Sequence, residues 1–328
     1  METQGVWRMA RPKLLVTRRL PDAVEARIRH DYDALLNDGD VAYGPDDLVR
    51  LAQGVDGVLT CGTERWTPAV IERLPDRVRI VASFSVGYEH LDLPAFAKRG
   101  IVATNTPDVL TEATADVAML CLLGAARRAW ESQMLLRERR WDRPKMAELL
   151  GLDLRNRILG IVGMGRIGQA TARRARGFGM TIHYHNRRPL PDEKAEGAVY
   201  HDSLDSLLPV CHFLSLNSPG GAETHHLMNA RTIGLLPPGA VLVNTARGTL
   251  IDDDALIAAL RSGHLFAAGL DVFAGEPALN PGYYDLPNCF LLPHIGSATV
   301  ETRDGMGFRA LDNLDAFFAG LRAPDALT

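Results

Sequence analysis

The fold is decided by the stretch Gly163-Met164-Gly165-Arg166-Ile167-Gly168, which has the spacing GxGxxG. An apolar, strand-like run at residues 158–162 precedes it, and a helix-like run at residues 169–178 follows it. In this context the first glycine permits a tight turn, the second lets the backbone approach a pyrophosphate, and the third lets the helix pack closely on the strand. The start of the helix favours the anion. The stretch predicts a dinucleotide site whose cofactor-binding residues are Gly163, Gly165, Arg166, Ile167 and Gly168.

The residues after the second strand-like run, 181–184, indicate which dinucleotide binds. About twenty residues beyond a glycine motif, a carboxylate normally accepts hydrogen bonds from the ribose 2′-hydroxyl of NAD. This chain has Asn186, Arg187 and Arg188 there instead. Two guanidinium groups can clamp a 2′-phosphate with paired hydrogen bonds. We therefore predict that NADP(H) is preferred and that NAD(H) is possible, the alternative being that both arginines are ordinary surface charges.

The bulk composition excludes several classes of function. The chain has 328 residues, enough for about two domains, and a formal net charge of −4 without a strongly basic face, which argues against nucleic acid as a partner. No apolar run reaches the roughly 18 residues of a membrane-spanning helix. Residues 1–13 lack the apolar core of a signal peptide, so we expect a cytoplasmic protein. The four cysteines lie far apart without metal-ligand spacing, so we expect reduced thiols and no metal.

The order of apolar runs predicts two α/β domains. Strand-like and helix-like segments alternate over the first hundred residues, and this alternation restarts after Gly163. Such alternation is typical of parallel sheets covered by helices. A helical pattern at residues 111–127 is interpreted as a connector, and another at 300–321 as a return to the first domain. We predict two doubly wound parallel-sheet domains with a cleft between them: a flavodoxin-like substrate domain, residues 1–108 and 299–328, and a Rossmann nucleotide domain, residues 109–298.

Three polar residues follow strand-like runs late in the predicted nucleotide domain: Arg247, Glu276 and His294. Open α/β sheets bind ligands beyond the carboxyl ends of their strands. Reduction of a ketone by hydride needs a proton for the developing alkoxide, and histidine supplies one near neutral pH. A carboxylate would orient the imidazole, and an arginine would hold a substrate carboxylate. The three residues thus form a candidate catalytic set, although each alone is nondescript and a lone histidine after a proline is more often a structural loop residue.

Beyond these residues, the chain resembles the D-isomer-specific 2-hydroxyacid dehydrogenases from about residue 80 to residue 321. The order and spacing of seven segments carry the resemblance: residues 85–92, 105–112, 163–168, 244–248, 269–273, 276–277 and 293–299. The resemblance implies that Arg247, Glu276 and His294 are catalytic. It also implies that the backbone amides of Val86 and Gly87 bind the substrate carboxylate together with Arg247. The further cofactor contacts that it implies are Thr245, Ala246, Asp271, which would hold the nicotinamide carboxamide, and Gly296.

Within the family, the chain resembles the glyoxylate and hydroxypyruvate reductases through residues 106–111 and 294–299. Residues 186–188 resemble the NADP-using members of that branch. Trp141 resembles an aromatic residue on an arm that reaches the neighbouring subunit's active site, but no second tryptophan follows three residues later, so Trp141 is equally interpreted as an interface packing residue. Because family members are usually dimers through the nucleotide domain, we expect a homodimer.

These observations predict NADPH-dependent reduction of a small 2-keto acid, glyoxylate or hydroxypyruvate, to the D-2-hydroxy acid, with histidine as general acid. Two alternatives stay open. One is another D-2-hydroxyacid dehydrogenase acting on pyruvate or a bulkier keto acid. The other is a nucleotide-sensing binding protein without turnover, because function follows the site and not the fold.

Overall fold

The computed structural model describes residues 11–328 of the chain. The described chain divides into two compact units: the first runs to Leu110 and resumes over Thr299–Thr328, and the second is Thr111–Ala298. The apolar pattern of the sequence predicts these changeovers after residues 108 and 298. The expectation that no signal peptide is present depends largely on residues 1–10, which lie outside the described residues.

The first unit contains a five-stranded sheet whose neighbouring strands pair in parallel. Its strands are β1 (Lys13–Val16), β2 (Asp33–Leu35), β3 (Gly57–Cys61), β4 (Ile80–Phe84) and β5 (Val102–Thr104). Its helices are α1 (Asp22–Asp31), α2 (Pro45–Leu51), α3 (Pro68–Glu72), α4 (Leu93–Lys98) and α12 (Val300–Phe318). The strand order is β2-β1-β3-β4-β5, which is the flavodoxin-like order. The predicted parallel-sheet class is confirmed for this unit.

Apolar side chains cover both faces of the first sheet. In β1, Leu14 and Val16 pack with Leu311 of α12 on one face, and Leu15 packs with Phe96 of α4 on the other. Because successive side chains of a strand point to opposite faces, a strand buried on both sides reads as a continuous apolar run. Helix α12 closes one of these two core layers, and the residues from 299 onward therefore belong to the first unit.

The second unit contains a seven-stranded sheet that is also parallel throughout. Its strands are β6 (Ile158–Val162), β7 (Thr181–His185), β8 (Val199–His201), β9 (Phe213–Leu216), β10 (Ala240–Asn244), β11 (Leu265–Leu270) and β12 (Cys289–Leu291). Its helices are α5 (Thr111–Ala126), α6 (Ala129–Arg137), α7 (Arg166–Gly177), α8 (Asp192–Ala195), α9 (Leu204–Leu207), α10 (Ala230–Gly234) and α11 (Asp253–Arg261). The predicted Rossmann-type class is confirmed.

The strand order of the second sheet positions its ligand site. The order is β12-β11-β10-β9-β6-β7-β8, so β6 pairs with β7 on one side and with β9 on the other. After β6 the chain first adds β7 and β8 on one side, and then adds β9 to β12 in order on the other side. The direction of the strand order therefore reverses at β6, which makes this strand the topological switch point. Doubly wound sheets bind ligands at the carboxyl ends of the strands at that point. The glycine motif, residues 163–168, begins directly after β6.

Helix α5, which the sequence suggested as a connector, packs within the second unit. Buried residues of α5, among them Cys121 and Leu122, share a core with Phe213, Val241 and Val243 of the sheet. A Cβ on Gly269 of β11 would lie 2.4 Å from the Cys121 carbonyl oxygen, so this glycine permits the close approach of helix and strand. Within residues 11–328, no helix is both long and apolar enough to cross a membrane.

Candidate active site

The glycine motif forms the turn between β6 and α7. Gly163 has a φ of +91°, a conformation that residues with a Cβ rarely adopt. A Cβ there would lie 2.7 Å from the backbone nitrogen of Ser218, so a larger residue would displace the segment after β9. Gly165 is the N-cap of α7, and the space around its missing Cβ is open. The backbone of the turn can therefore be approached closely by a ligand.

Gly168 fixes the distance between helix α7 and strand β6. A Cβ on Gly168 would lie 2.5 Å from the Gly163 carbonyl oxygen and 3.1 Å from Cγ2 of Ile161. The helix begins at Arg166, followed by Ile167, which is three residues before the helix-like run that the sequence indicated from residue 169. The first N–H groups of a helix have no acceptor within the helix and lie at the positive end of its dipole. The local geometry thus matches that of a pyrophosphate site.

Asn186 ties the end of β7 to the glycine turn. Its Oδ1 accepts a hydrogen bond of 2.7 Å from the Met164 N–H. Arg187 and Arg188 follow and are exposed. Arg187 has a side chain that is 92% exposed, and its Nη1 lies 3.6 Å from Oε2 of the equally exposed Glu223. Exposed ion pairs of this kind contribute little, so Arg187 can exchange this partner for a phosphate.

Two buried polar atoms lie at the ends of neighbouring strands. Within the described residues, Oδ1 of Asn217 and Oγ1 of Thr245 have no hydrogen-bond partner. Asn217 follows β9 and Thr245 follows β10, and the Asn217 N–H donates to the Val162 carbonyl at the end of β6 with a distance of 2.8 Å. Buried polar atoms are normally hydrogen-bonded. These two atoms therefore indicate a polar ligand along the strand ends, which a dinucleotide fits.

Arg247 is positioned by the turn that follows β10. Asn244 at the end of that strand accepts a hydrogen bond from the Ala246 N–H at 3.0 Å and donates one to the Arg247 carbonyl at 2.9 Å. The Arg247 Nη1 donates to the Ala246 carbonyl at 2.7 Å. The side chain is half-buried. The turn thus holds the backbone at both ends of the arginine and restricts where its guanidinium can lie.

Gly248 brings the Arg247 turn against the segment that carries Glu276. A Cβ on Gly248 would lie 1.9 Å from the backbone carbon of Phe273, a contact that only glycine allows. The Phe273 N–H in turn donates to Oε2 of Glu276 at 3.1 Å. Backbone packing therefore fixes the carboxylate relative to the arginine, independently of the side-chain rotamer of Arg247.

Glu276 and His294 form a hydrogen-bonded pair. Nδ1 of His294 lies 2.5 Å from Oε1 of Glu276, and the two side chains are 52% and 36% exposed, respectively. A hydrogen bond between a carboxylate and a protonated imidazole is charge-assisted and stronger than one between neutral groups. Because Nδ1 is engaged with the carboxylate, Nε2 is the ring nitrogen that remains available to a substrate.

Asp271 holds the loop that carries His294. This aspartate lies directly after β11 and is only 1% exposed. Its Oδ1 accepts a hydrogen bond from the Ile295 N–H at 2.7 Å, and its Oδ2 accepts one from the Gly296 N–H at 2.8 Å. His294 has a positive φ of 53°, which is uncommon for a residue with a side chain. The buried carboxylate stabilises this conformation.

The charges of the site act on one another. The hydrogen bond with Glu276 raises the pKa of His294 above its ordinary value, against the opposing effects of burial and of the Arg247 charge. Burial disfavours the charged form of Glu276, but the hydrogen bond with His294 and the charges of His294 and Arg247 outweigh it and lower the pKa of this carboxyl. The site therefore favours a protonated imidazole beside an ionised carboxylate, which is the state that a proton donor requires.

The other predicted residues lie in different parts of the chain. Val86 and Gly87 lie in the first unit, directly after β4 and Ser85. Trp141 is 54% exposed in the segment after α6. Within the described residues, no group of three or more His, Cys, Asp or Glu side chains could hold a metal ion, and all four cysteines are free thiols. The sequence analysis missed Asn217 and Asn244, which follow or end apolar strands and could have been found by their position there.

Comparison with known proteins gives the family. The model of the D-isomer specific 2-hydroxyacid dehydrogenase NAD-binding domain matches residues 119–296. The chain belongs to the D-isomer specific 2-hydroxyacid dehydrogenase family. The resemblance predicted from its motifs is confirmed, and the protein is an oxidoreductase of this family with a domain of the NAD-binding type.

Its relatives within the 2-hydroxyacid dehydrogenases include enzymes of the glyoxylate reductase branch. A glycerate dehydrogenase from Hyphomicrobium methylovorum is 47% identical over 314 residues, which cover 95% of this chain and 98% of that protein. A glyoxylate reductase from Thermococcus litoralis is 40% identical over 320 residues, 96% of each chain. The chain is also similar to the crystal structure of an NADPH-dependent glyoxylate/hydroxypyruvate reductase from Sinorhizobium meliloti in complex with NADP and malonate. The two structures have a TM-score of 0.87 and 35% sequence identity, and the match covers 97% of each chain.

Proposed function

We propose that this dehydrogenase catalyses the NADPH-dependent reduction of glyoxylate or hydroxypyruvate to the D-2-hydroxy acid. The observation that carries the proposal is the 2.5 Å contact between Nδ1 of His294 and Glu276, beside a turn that holds Arg247. Relatives that cover nearly the whole chain include glyoxylate reductases and a glycerate dehydrogenase. Reduction of hydroxypyruvate yields glycerate, so one 2-keto acid site accounts for both names.

The cofactor would be held by the elements at the switch point of the second sheet. Gly163, Gly165 and Gly168 shape the turn, with Arg166 and Ile167 opening the helix above the pyrophosphate. When bound, NADPH supplies the hydride that reduces the keto group. Asn186, Arg187 and Arg188 would contact the adenosine ribose and its 2′-phosphate, and Thr245, Ala246, Asp271 and Gly296 would line the nicotinamide end. The orphaned Oγ1 of Thr245 supports this placement.

The protein's own groups would bind the keto acid and supply the proton. Arg247 would form a charge-assisted pair with the substrate carboxylate. Nε2 of His294 would donate its proton to the oxygen that becomes the hydroxyl, while Glu276 keeps the imidazole protonated until transfer and stabilises its orientation. Val86 and Gly87, whose backbone N–H groups would also bind the carboxylate, are proposed from the resemblance alone.

A panel of substrates tests the proposal. Oxidation of NADPH and of NADH, followed by absorbance, should be measured with glyoxylate, hydroxypyruvate, pyruvate and phenylpyruvate. We expect the highest kcat/KM with NADPH and one of the first two acids. A preference for pyruvate or phenylpyruvate would move the chain to another branch of the family, and failure to turn over any of the four would contradict the proposal.

The cofactor preference is tested by removing one guanidinium. Arg187→Ala should lower kcat/KM for NADPH by about tenfold or more, since hydrogen bonds to charged groups contribute about 1.5–3 kcal/mol, and should leave that for NADH unchanged. Arg231→Ala is the matched control, because Arg231 is also exposed but pairs with Asp205 elsewhere in the same unit. Equal losses with both cofactors would contradict a role for Arg187 in binding the 2′-phosphate.

A cytoplasmic location and a homodimer through the second unit stay part of the proposal. The region after α5 carries several exposed apolar side chains, including Trp130, Leu136, Trp141 and Met146, and these would be covered in a dimer. Sedimentation velocity of the purified protein tests the dimer, and a monomer at micromolar concentration would contradict it.

A further inference from the structure

The loop Ser85-Val86-Gly87 in the first unit is anchored by residues that follow β5. The Ser85 carbonyl accepts a hydrogen bond of 2.9 Å from the Thr106 N–H. The next carbonyl, that of Val86, accepts one of 2.8 Å from Nδ2 of Asn105. The two successive peptide groups 85–86 and 86–87 therefore both accept hydrogen bonds from residues 105–106.

Because peptide groups are planar, these two hydrogen bonds also fix the direction of the N–H groups of Val86 and Gly87. The bonds joining residues 85–86 and 86–87 are not among the cis peptides of the described chain. In a planar trans peptide the C=O of one residue and the N–H of the next point in opposite directions. Anchoring the carbonyls of Ser85 and Val86 therefore turns the N–H groups of Val86 and Gly87 away from Asn105 and Thr106. The structure shows no hydrogen bond from either N–H to another described residue.

A second set of hydrogen bonds supports the loop from the side of β4. Oγ of Ser85 donates to the Gly87 carbonyl at 2.7 Å and lies 2.6 Å from Oγ of Ser83, which in turn lies 2.9 Å from Nε2 of His90. Since the Ser85 hydroxyl proton is used on Gly87, Ser83 donates to Ser85 and His90 donates to Ser83. Ser83 is fully buried and His90 is 7% exposed, so this chain of donors is sheltered from water.

We propose that Asn105 is a positioning residue for substrate recognition: its amide holds the Val86 carbonyl so that the Gly87 N–H points at the carboxylate of the 2-keto acid. The inference rests on the proposed function and specifies how this chain prepares its carboxylate-binding amides. Asn105 would touch no substrate atom itself. It would lower the cost of binding because the Gly87 N–H is oriented before the acid arrives.

The test compares two variants that differ in size and in hydrogen bonding. Asn105→Asp keeps the shape of the side chain but cannot donate to the Val86 carbonyl, whereas Asn105→Ala removes both shape and donor. If Asn105 only filled space in this 8% exposed position, the aspartate would preserve function better than the alanine. If its amide orients the loop, both variants should raise KM for glyoxylate about tenfold, the effect of one hydrogen bond to a charged group.

Four measurements distinguish a positioning role from a general loss of structure. KM for glyoxylate and the inhibition constant of oxamate, a carboxylate that is not reduced, should both rise by the same factor. The dissociation constant of NADPH, measured by quenching of protein fluorescence, should stay within twofold of wild type, as should kcat at saturating glyoxylate.

Asn37→Asp is the matched control for the aspartate variant. Asn37 is also buried in the first unit, at 4% exposure, and its Nδ2 donates to two backbone carbonyls, those of Thr17 and Val41, both at 2.8 Å. It should lower the melting temperature to a similar degree without changing KM. If the Asn105 variants do not fold, Ser85→Ala takes their place, because it removes the hydrogen bond to the Gly87 carbonyl. This variant should raise KM for glyoxylate about threefold, which in free energy is roughly half the contribution of one hydrogen bond to a charged group.

The outcomes distinguish this proposal from the function on which it rests. If wild type reduces glyoxylate but Asn105→Asp has the wild-type KM and inhibition constant, the positioning role is refuted and the function stands. A change in KM and NADPH affinity by equal factors also refutes it. If wild type neither reduces a keto acid nor binds oxamate, the proposed function fails and the positioning role fails with it.

Discussion

Glu276→Gln tests the chemistry of the site most directly, because it removes a charge and keeps the shape. The 2.5 Å contact with Nδ1 of His294 raises the pKa of the imidazole. A hydrogen bond to a charged group contributes about 1.5–3 kcal/mol, and about 1.4 kcal/mol corresponds to a factor of ten in an equilibrium constant. Since the His294 side chain is 52% exposed, the lower end of that range applies. Without the carboxylate charge, the pKa of His294 should fall.

The sign of the effect follows from the proton that reduction consumes. Keto acid reduction needs protonated His294, so its rate declines as pH rises through the raised pKa. In Glu276→Gln this decline should begin at a lower pH than in wild type. Profiles of kcat/KM with glyoxylate, from about pH 5 to pH 9, measure the shift directly. At alkaline pH the kcat/KM of Glu276→Gln should be about tenfold below that of wild type, which corresponds to about 1.5 kcal/mol. At acidic pH, where the imidazole of both proteins is protonated, the two values should differ much less.

The pH profile of Glu276→Gln needs a control variant, and two results would contradict the prediction. Glu193→Gln removes an exposed carboxylate from α8 and should leave the profile unchanged. If Glu276→Gln lost activity by the same factor at every pH, the carboxylate would not act through the protonation of His294. A shift of the decline to higher pH would contradict the sign derived from the structure.

Three further substitutions probe the rest of the site. His294→Ala should lower kcat by about 100-fold or more, the usual scale of general acid catalysis, with an unchanged melting curve; full turnover with glyoxylate would exclude it as the acid. Arg247→Lys keeps the charge but loses the paired donors, so KM for glyoxylate should rise while the NADPH dissociation constant, measured by fluorescence, stays constant. Gly248→Ala places a Cβ 1.9 Å from the Phe273 backbone; both thermal stability and activity should drop, and a wild-type melting temperature would show that the turn adapts.

Residues with strong local signals could be predicted from the sequence. Strand β6 was predicted with the observed bounds, because it is a five-residue apolar run buried on both faces. The glycine motif was predicted with its turn because only glycine tolerates the φ of Gly163 and the approach of Gly168. Strands β2 and β8 were not predicted, since each has only three residues and none of them is fully buried. Short, half-exposed strands leave no apolar run to detect.

Contacts between distant residues could not be predicted from periodicity. The roles of Arg247, Glu276 and His294 were inferred from residue type and motif, but the packing of Gly248 on Phe273 depends on the approach of two turns. Asp271 was expected to hold the nicotinamide, whereas the structure also shows it holding the Ile295 and Gly296 amides. The anchoring of Val86 by Asn105 is likewise a contact between residues 19 positions apart. Such contacts require coordinates.

The three proposed catalytic side chains and the glycine turn all belong to one uninterrupted stretch of chain, Thr111–Ala298, whereas Val86 and Gly87 do not. The proposed proton donor and cofactor turn are thus encoded in a different gene segment from the proposed carboxylate-binding amides. Evolution or an engineer could exchange the flanking segments to alter which acid is accepted while inheriting the reaction intact. Chimeras that join this central segment to the ends of a relative would make use of that modularity.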